Sequence, residues 1–435
     1  MVSMKRILSF LAGALFIASP AGIEAEGRSA SPLSGSFLSA FDVQNERLFP
    51  DGKGSVSQGW TNWAALRFRS AGSENLSFFL SVTIDTASGI YARENAADVK
   101  LGLERLYFKA GNEWLDVETG LIRIARGYGY LFSPLDLFNP RDVADSIDPQ
   151  ARPPGKWGVH ATFYPQEMWK VELFGLASDN PRERGVWGSR FGAATTFSLG
   201  KTSFDLLYAL FLPEIEQGLD PASLSLPPYT NNDFSQVAGF AVKTDVEIGL
   251  FVEAVYRLDH RLLRQAAAGD EHFTGYDGLQ AALGVDYTFA GADLYLLGEY
   301  LFYGGGHVDW ACAGLDSLYT SPDWKTLAPA QRLVFFDATK RPLPFARHDY
   351  LFLLARLTPR QDFVLGASAL CGLDDLSALC TLFTEYEVIQ GLTLELSLLV
   401  PLDRTSFGLS AEPGEWGSTS LGFYQLLRVA TKVKF

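Results

Sequence analysis

Long apolar runs are scarce in this chain. After residue 18, no stretch of eighteen uncharged apolar residues occurs. A helix that crosses a membrane needs about 20 predominantly apolar residues. The sequence therefore excludes helical membrane spans beyond its first segment.

The chain has fewer basic than acidic residues, and it lacks the common catalytic motifs. The chain has 36 Lys and Arg against 50 Asp and Glu, for a formal net charge of −14. Nucleic acid is excluded as a partner because its binding requires a basic surface. No GxSxG, HExxH or P-loop pattern occurs, and His307 with Asp309 offers too few ligands for a metal. We therefore expect no enzyme activity, no cofactor and no metal.

Cysteine is nearly absent, with three residues in all. Cys371 and Cys380 flank a short predicted turn at 374–376 and would lie roughly opposite each other in a hairpin. A secreted protein can form disulfides, but a disulfide between adjacent strands is strained. A Cys371–Cys380 disulfide and two free thiols both remain open, and Cys312 is the unpaired third.

Aromatic residues, glycine and alternating patterns are abundant. Phe, Tyr and Trp make up 13% of the chain, and there are 41 Gly. About eighteen segments show the period-2 alternation of β-strands, most clearly at 392–401, where Leu alternates with Thr, Glu and Ser. The connections between these segments alternate between short and long, with one short exception at 374–376.

This pattern predicts an all-β fold, namely a transmembrane antiparallel up-and-down β-barrel of about 18 strands (16–18). Such barrels combine tight periplasmic turns with longer external loops, and their strands carry one lipid-facing and one lumen-facing side. An even strand number brings both termini to the periplasmic side.

The two ends of the chain agree with this interpretation. Residues 1–25 have the charged start, short apolar run and small residues of a secretory signal peptide, with cleavage after residue 21 or 25. Residues 26–435 then form a single barrel domain. The last strand ends on Phe435, with Val433 on the same apolar face, and resembles the assembly signal of bacterial outer-membrane proteins. That resemblance implies the bacterial outer membrane as location, its lipid as surroundings and the barrel assembly machinery as partner.

The connection 125–156 is the most distinctive loop. It contains five prolines and a central group of large apolar residues at 130–138. An external loop of this composition should fold inward and pack on the barrel wall, narrowing the lumen. The alternative is a proline-shaped surface lid whose arginines pair with neighbouring aspartates.

Three short motifs in and beside this loop resemble a segment of alginate-export-like porins: Arg126–Gly127, Ser133-Pro134-Leu135-Asp136 and Asn139-Pro140-Arg141-Asp142. In this chain Ser133 replaces the usual Asn. The resemblance implies transport of anionic solutes through an arginine-lined constriction. The candidate constriction residues are Arg123, Arg126, Arg141, Arg152, Asp136 and Asp142.

The sequence thus predicts an outer-membrane porin for diffusion, export or uptake of small hydrophilic, in particular anionic, solutes. A homo-oligomer is compatible with this function. Two alternatives stay open: a hydrophobic-substrate transporter of the fatty-acid type, and a surface adhesin or structural barrel.

Overall fold

A computed structural model describes residues 33–47, 54–73, 76–89, 98–139, 154–178, 189–212, 235–259, 278–304, 348–404, 406 and 423–435. The predicted signal peptide and the candidate residues Arg141, Asp142 and Arg152 lie outside these ranges, as do Cys312, His307 and Asp309. No helix in the described ranges is long and apolar enough to cross a membrane.

The described residues form eighteen strands, which confirms the predicted all-β class and strand number. Their bounds are β1 Leu33–Arg47, β2 Gly54–Ser73, β3 Leu76–Gly89, β4 Asp98–Gly111, β5 Leu115–Ile122, β6 Lys156–Gln166, β7 Trp169–Leu176, β8 Arg190–Leu199, β9 Thr202–Phe211, β10 Ser235–Asp245, β11 Gly249–Asp259, β12 Leu279–Phe289, β13 Leu294–Tyr303, β14 Asp349–Arg360, β15 Phe363–Gly372, β16 Ser377–Ile389, β17 Leu392–Leu402 and β18 Phe423–Lys434.

The sheet is closed. Each strand pairs with its sequence neighbours in antiparallel fashion, and β1 pairs with both β2 and β18. Closure leaves no sheet edge, so every strand finds a hydrogen-bonding partner on both sides, as a barrel in lipid requires.

The two sides of the wall differ in the manner that the alternation predicts. On β11, Leu250 and Val252 are exposed on the outer face, whereas Phe251, Glu253 and Val255 between and after them are buried inside. The same alternation gives the other strands exposed Leu, Val and Phe on the outer face. An apolar outer face around a closed barrel is suited to the hydrocarbon region of a membrane.

Short and long connections alternate along the chain. The joins after even-numbered strands are tight, as at 200–201, where Gly200 has φ +60°, and at 390–391, where Gly391 has φ +84°. The joins after odd-numbered strands span more residues, except 373–376 between β15 and β16, where the sequence predicted a short join. All tight joins but this one therefore lie at one end of the barrel.

The closing seam between β1 and β18 contains a buried ion pair. Arg428 donates to both carboxylate oxygens of Asp42, from Nε at 2.7 Å and from Nη2 at 2.8 Å, and the two residues are register partners. At the end of the barrel that carries most of the tight joins, Phe435 exchanges two backbone hydrogen bonds with Gly35. A side chain at position 35 would collide with the Phe435 ring, whose Cζ lies 2.3 Å from an ideal Cβ.

The cysteine pair is not bonded in the structure. Cys371 lies opposite Ala378, and Cys380 lies opposite Ala369, so the two cysteines are diagonal rather than direct partners. Both thiols are free.

Candidate functional site

The connection between β5 and β6 begins with a segment that lies inside the barrel. We call residues 123–139 the inner loop. Its large apolar side chains are buried against inward-facing residues of the wall, in two clusters. Of the two arrangements that the sequence left open, this geometry matches the inward one.

The first cluster surrounds the middle of the inner loop. Phe132 is fully buried and contacts wall residues that include Phe251 and Phe352. The Tyr130 ring stacks on Phe352, with centroids 6.0 Å apart and planes 8° apart. Full burial of one such side chain contributes roughly 1.5–3 kcal/mol, so this contact favours the inward position of the loop.

The second cluster lies nearer the end of the inner loop. Phe138 packs edge-on against Phe174 of β7 at 4.6 Å and stacks with Phe211 of β9 at 5.8 Å. Ile124 and Leu135 are buried in the same cluster. The two clusters together attach the loop to strands on a large part of the wall.

Two glutamates of the wall hold the backbone of the inner loop. Glu253 of β11 is fully buried, and its Oε1 accepts the backbone N–H groups of Tyr128 and Gly129, the latter at 2.9 Å. Its Oε2 accepts the Ser133 hydroxyl at 3.0 Å and the Leu135 N–H at 3.4 Å. One carboxylate thus satisfies amides that would otherwise be buried without partners.

Glu299 of β13 accepts hydrogen bonds from the backbone of the next loop residues, 130–132. It is fully buried. Its Oε1 accepts the N–H of Tyr130, and its Oε2 accepts those of Leu131 at 2.8 Å and Phe132 at 3.0 Å. Charged acceptors form stronger hydrogen bonds than neutral ones, so Glu253 and Glu299 fix the path of the loop as well as its depth.

The close approach of the loop to Glu253 depends on glycine. Gly127 has φ +89°, a conformation that residues with a Cβ rarely adopt. An ideal Cβ there would lie 1.8 Å from the Ser133 Oγ and 2.6 Å from the Glu253 Oε2. Any larger residue would therefore push the loop away from the carboxylate.

Asp136 and Asn139 hold the base of the loop together. The Asn139 Oδ1 accepts the Ile124 N–H at 3.0 Å, and its Nδ2 donates to the Pro154 carbonyl at 3.0 Å. Asp136 is buried, and its Oδ1 accepts the Arg126 N–H at 3.4 Å. Asp136, one of the candidate constriction residues, thus accepts a hydrogen bond from the loop backbone.

The two candidate arginines that the structure describes are both paired with carboxylates. Arg126 is buried, lies over the Phe174 ring at 5.9 Å and contacts Glu172 at 2.5 Å. Glu172 also contacts His160 at 3.0 Å and Lys170 at 3.2 Å. Arg123 contacts Glu104 at 2.8 Å. The two arginines therefore pair with different carboxylates.

Tyr128 links the inner loop to the β9 wall. Its side chain packs against both apolar clusters, and the Lys243 Nζ lies 6.0 Å from its ring. Burial, and after it the neighbouring Asp205 carboxylate, raise the pKa of the Tyr128 phenol well above its ordinary value. The phenol therefore stays neutral at any physiological pH.

Sequence reasoning did not identify Glu253 and Glu299. Each is a single acidic residue at an inward position whose inward neighbours two residues away are apolar: Phe251 and Val255 beside Glu253, Leu297 and Leu301 beside Glu299. An isolated charge in an apolar row needs buried partners. That pattern could have marked both residues, although it does not reveal the partner.

Several solved structures are similar to this chain at low sequence identity. Wzi, an outer-membrane carbohydrate-binding β-barrel of Escherichia coli, is 10% identical, with 93% of this chain and 84% of Wzi aligned and a TM-score of 0.50. Pseudomonas aeruginosa OccK7 (OpdD) is 13% identical over 94% of this chain and 99% of its own, with a TM-score of 0.49. Acinetobacter baumannii OccAB4 is 8% identical over 93% and 98%, with a TM-score of 0.48.

The fold is that of an outer-membrane β-barrel. The closed sheet and its apolar outer face point to the bacterial outer membrane as location. No family model matches the chain, and no curated protein matches it.

Proposed function

We propose that this protein is an outer-membrane channel for small hydrophilic solutes, with a preference for anions, and that the inner loop is its constriction. The observation that carries the proposal is the attachment of the loop to Glu253 and Glu299 inside the barrel. A loop fixed at this depth reduces the cross-section of the lumen and leaves the opposite wall as the solute path.

The preference for anions is inferred from the resemblance of the loop motifs to alginate-export-like porins. Arg123 and Arg126 lie at the start of the inner loop, each beside one carboxylate. The proposal extends the same role to Arg141, Arg152 and Asp142 on sequence grounds alone. Charges inside a lumen with low-dielectric walls act on passing ions more strongly than charges on an external surface do, because the walls focus the field.

Assembly is proposed to depend on the last strand. Phe435 and Val433 face outward on β18 beside β1, where the barrel assembly machinery would recognise them. This proposal rests on the resemblance of the terminal strand to known assembly signals.

Single-channel recording in planar bilayers tests the channel function. Purified wild-type protein should give discrete conductance steps. Deletion of residues 132–138 removes the apolar anchor of the inner loop and should raise the step size about twofold, because a wider lumen conducts more ions. A matched deletion of seven residues, 219–225, in the connection between β9 and β10 is the control and should leave the step size unchanged.

The outcomes separate the parts of the proposal. A wild-type protein that inserts into the bilayer without conducting would overturn the channel. If the wild type conducts and deletion of 132–138 does not change the step size, the channel proposal stands and the constriction proposal is wrong.

A further inference from the structure

A shallow groove lies on the outer face of the wall, across β6, β7, β8 and β9. We call it the outer groove. Its volume is about 470 Å³, which is comparable with that of ligand pockets in proteins, about 300–1,000 Å³. The outward-facing residues that line it include Ala161, Leu173, Gly175, Phe191, Ala193 and Tyr208.

The outer groove forms because small residues lie beside large ones on neighbouring strands. Gly175 of β7 is the register partner of Phe191 on β8. Ala193 of β8 lies between Leu173 on β7 and Tyr208 on β9. Side chains of direct cross-strand partners stand next to each other on one face of a sheet. Gly175 and Ala193 therefore form the floor of the groove, and the larger side chains form its sides.

Aromatic residues lie on both sides of the outer groove along the strand direction. On β6, Trp157 and Phe163 are both exposed on the outer face, before and after Ala161. The six residues from Trp157 to Phe163 span about 20 Å of strand. Outer-membrane barrels place aromatic girdles at the two interfaces and an apolar band ~25 Å tall between them. The outer groove therefore opens to the hydrocarbon region of the membrane.

One end of the outer groove carries a polar group. Leu210, which also lines the groove, is the register partner of Gln236 near the start of β10. The Tyr208 hydroxyl donates to the Gln236 Oε1 at 2.9 Å. A glutamine amide nitrogen has two N–H donors, and that of Gln236 has no acceptor in the part of the chain that the structure describes. Unused donors thus lie at the end of the groove that points away from the tight joins.

This combination fits a lipid. The apolar floor and sides match an acyl chain, which has no polar group to satisfy. The Gln236 donors match the ester or amide carbonyl that joins an acyl chain to its headgroup. A hydrophilic solute of the channel would have to cross hydrocarbon to reach this face of the wall, so the outer groove is separate from the solute path.

We propose that the outer groove binds one acyl chain of a lipopolysaccharide molecule, and that the Gln236 amide donates to the carbonyl that links this chain to the headgroup. Lipopolysaccharide is the occupant because Gln236 lies at the end of the barrel that faces outward when the tight joins face the periplasm. This lipid forms the outer leaflet of the bacterial outer membrane. The site goes beyond the channel function and does not require conduction.

Native mass spectrometry of the purified protein in detergent tests the site. The probes are lipid A, which is the acylated part of lipopolysaccharide, and phosphatidylethanolamine. The wild type should retain one lipid A molecule, with a half-saturating concentration below that of phosphatidylethanolamine. A protein that binds lipid A and does not conduct would support the site while the channel proposal fails.

Two variants change the outer groove without touching the lumen. Ala193→Leu fills the floor and should raise the half-saturating concentration of lipid A about tenfold. Gln236→Leu removes the donors and should raise it about fivefold, as expected for one lost hydrogen bond. Ala355→Leu is the matched control, because Ala355 faces outward on β14 opposite Leu296 and should bind lipid A as the wild type does. All variants should keep heat-modifiable migration.

Several results would overturn the site. One is a wild type that retains no lipid A, and another is a wild type that retains phosphatidylethanolamine more tightly. Equal half-saturation in the wild type, Ala193→Leu and Gln236→Leu would mean that lipid binds the apolar surface without a defined position. A wild-type dimer that Ala193→Leu abolishes would assign the outer groove to a second copy of the chain.

Discussion

At the scale of single residues, buried carboxylates determine where the inner loop lies. Glu253 and Glu299 together accept six backbone N–H groups and one hydroxyl from residues 128–135. A hydrogen bond to a charged group contributes roughly 1.5–3 kcal/mol. Loss of either carboxylate should therefore matter more than loss of any one apolar contact of the loop.

We expect Glu253→Gln and Glu299→Gln each to loosen the inner loop. The amide keeps one oxygen acceptor but places a donor against the loop N–H groups, which leaves buried donors unsatisfied. The variants should show noisier single-channel currents and faster chymotrypsin cleavage at the inner-loop aromatics. Glu247→Gln, in an exposed tight join, should match the wild type. Identical cleavage in all four proteins would mean that apolar packing alone holds the loop.

At the scale of secondary-structure elements, the alternation of apolar and polar residues predicted the strands. It did not predict which side chains of different elements contact each other. The 392–401 row of Leu indicates a strand with an outer apolar face, and β17 has those bounds within one residue. The two glutamates that hold the backbone of the inner loop are more than 100 residues away in sequence, as in the bond between Tyr128 and Glu253. No local pattern specifies such a pairing, because it depends on the curvature of the whole sheet.

The arginine candidates illustrate the same limit. Arg126 was predicted from its place in a motif, and the structure pairs it with Glu172 on β7. A motif in the chain therefore located the loop, but the carboxylate partner of Arg126 depends on how the loop packs against β7.

The terminal strand, β18, allows a prediction at the scale of secondary-structure elements. Deletion of Phe435 should remove a ring that packs on Gly35 and two backbone hydrogen bonds to β1. We expect the amount of heat-modifiable protein in the outer membrane to fall at least severalfold, because the seam between β1 and β18 loses its end. Lys434→Gln, at an exposed position of the same strand, should have a smaller effect. Full yield after deletion of Phe435 would show that neither assembly nor closure needs it.

At the scale of the whole molecule, closure and the alternation of connections define two different ends. Even-numbered strands lead into tight joins such as 200–201, whereas the joins after odd-numbered strands gather at the other end. The inner loop enters the lumen from that second end, between β5 and β6. If solutes first meet the inner loop from outside the cell, the end with tight joins must face the periplasm.

Epitope accessibility tests this orientation. A tag inserted within 213–234, the connection after β9, should bind antibody on intact cells, because this connection leaves the barrel at the end from which the inner loop enters. A tag inserted after Gly200 follows β8 and should bind antibody only after the outer membrane is permeabilised. Heat-modifiable migration of both tagged proteins is the control that each barrel has closed. The opposite result would be antibody binding to the Gly200 tag on intact cells without binding to the tag within 213–234. It would show that the barrel has the reverse orientation in the membrane. The inner loop would then lie at the periplasmic mouth of the barrel.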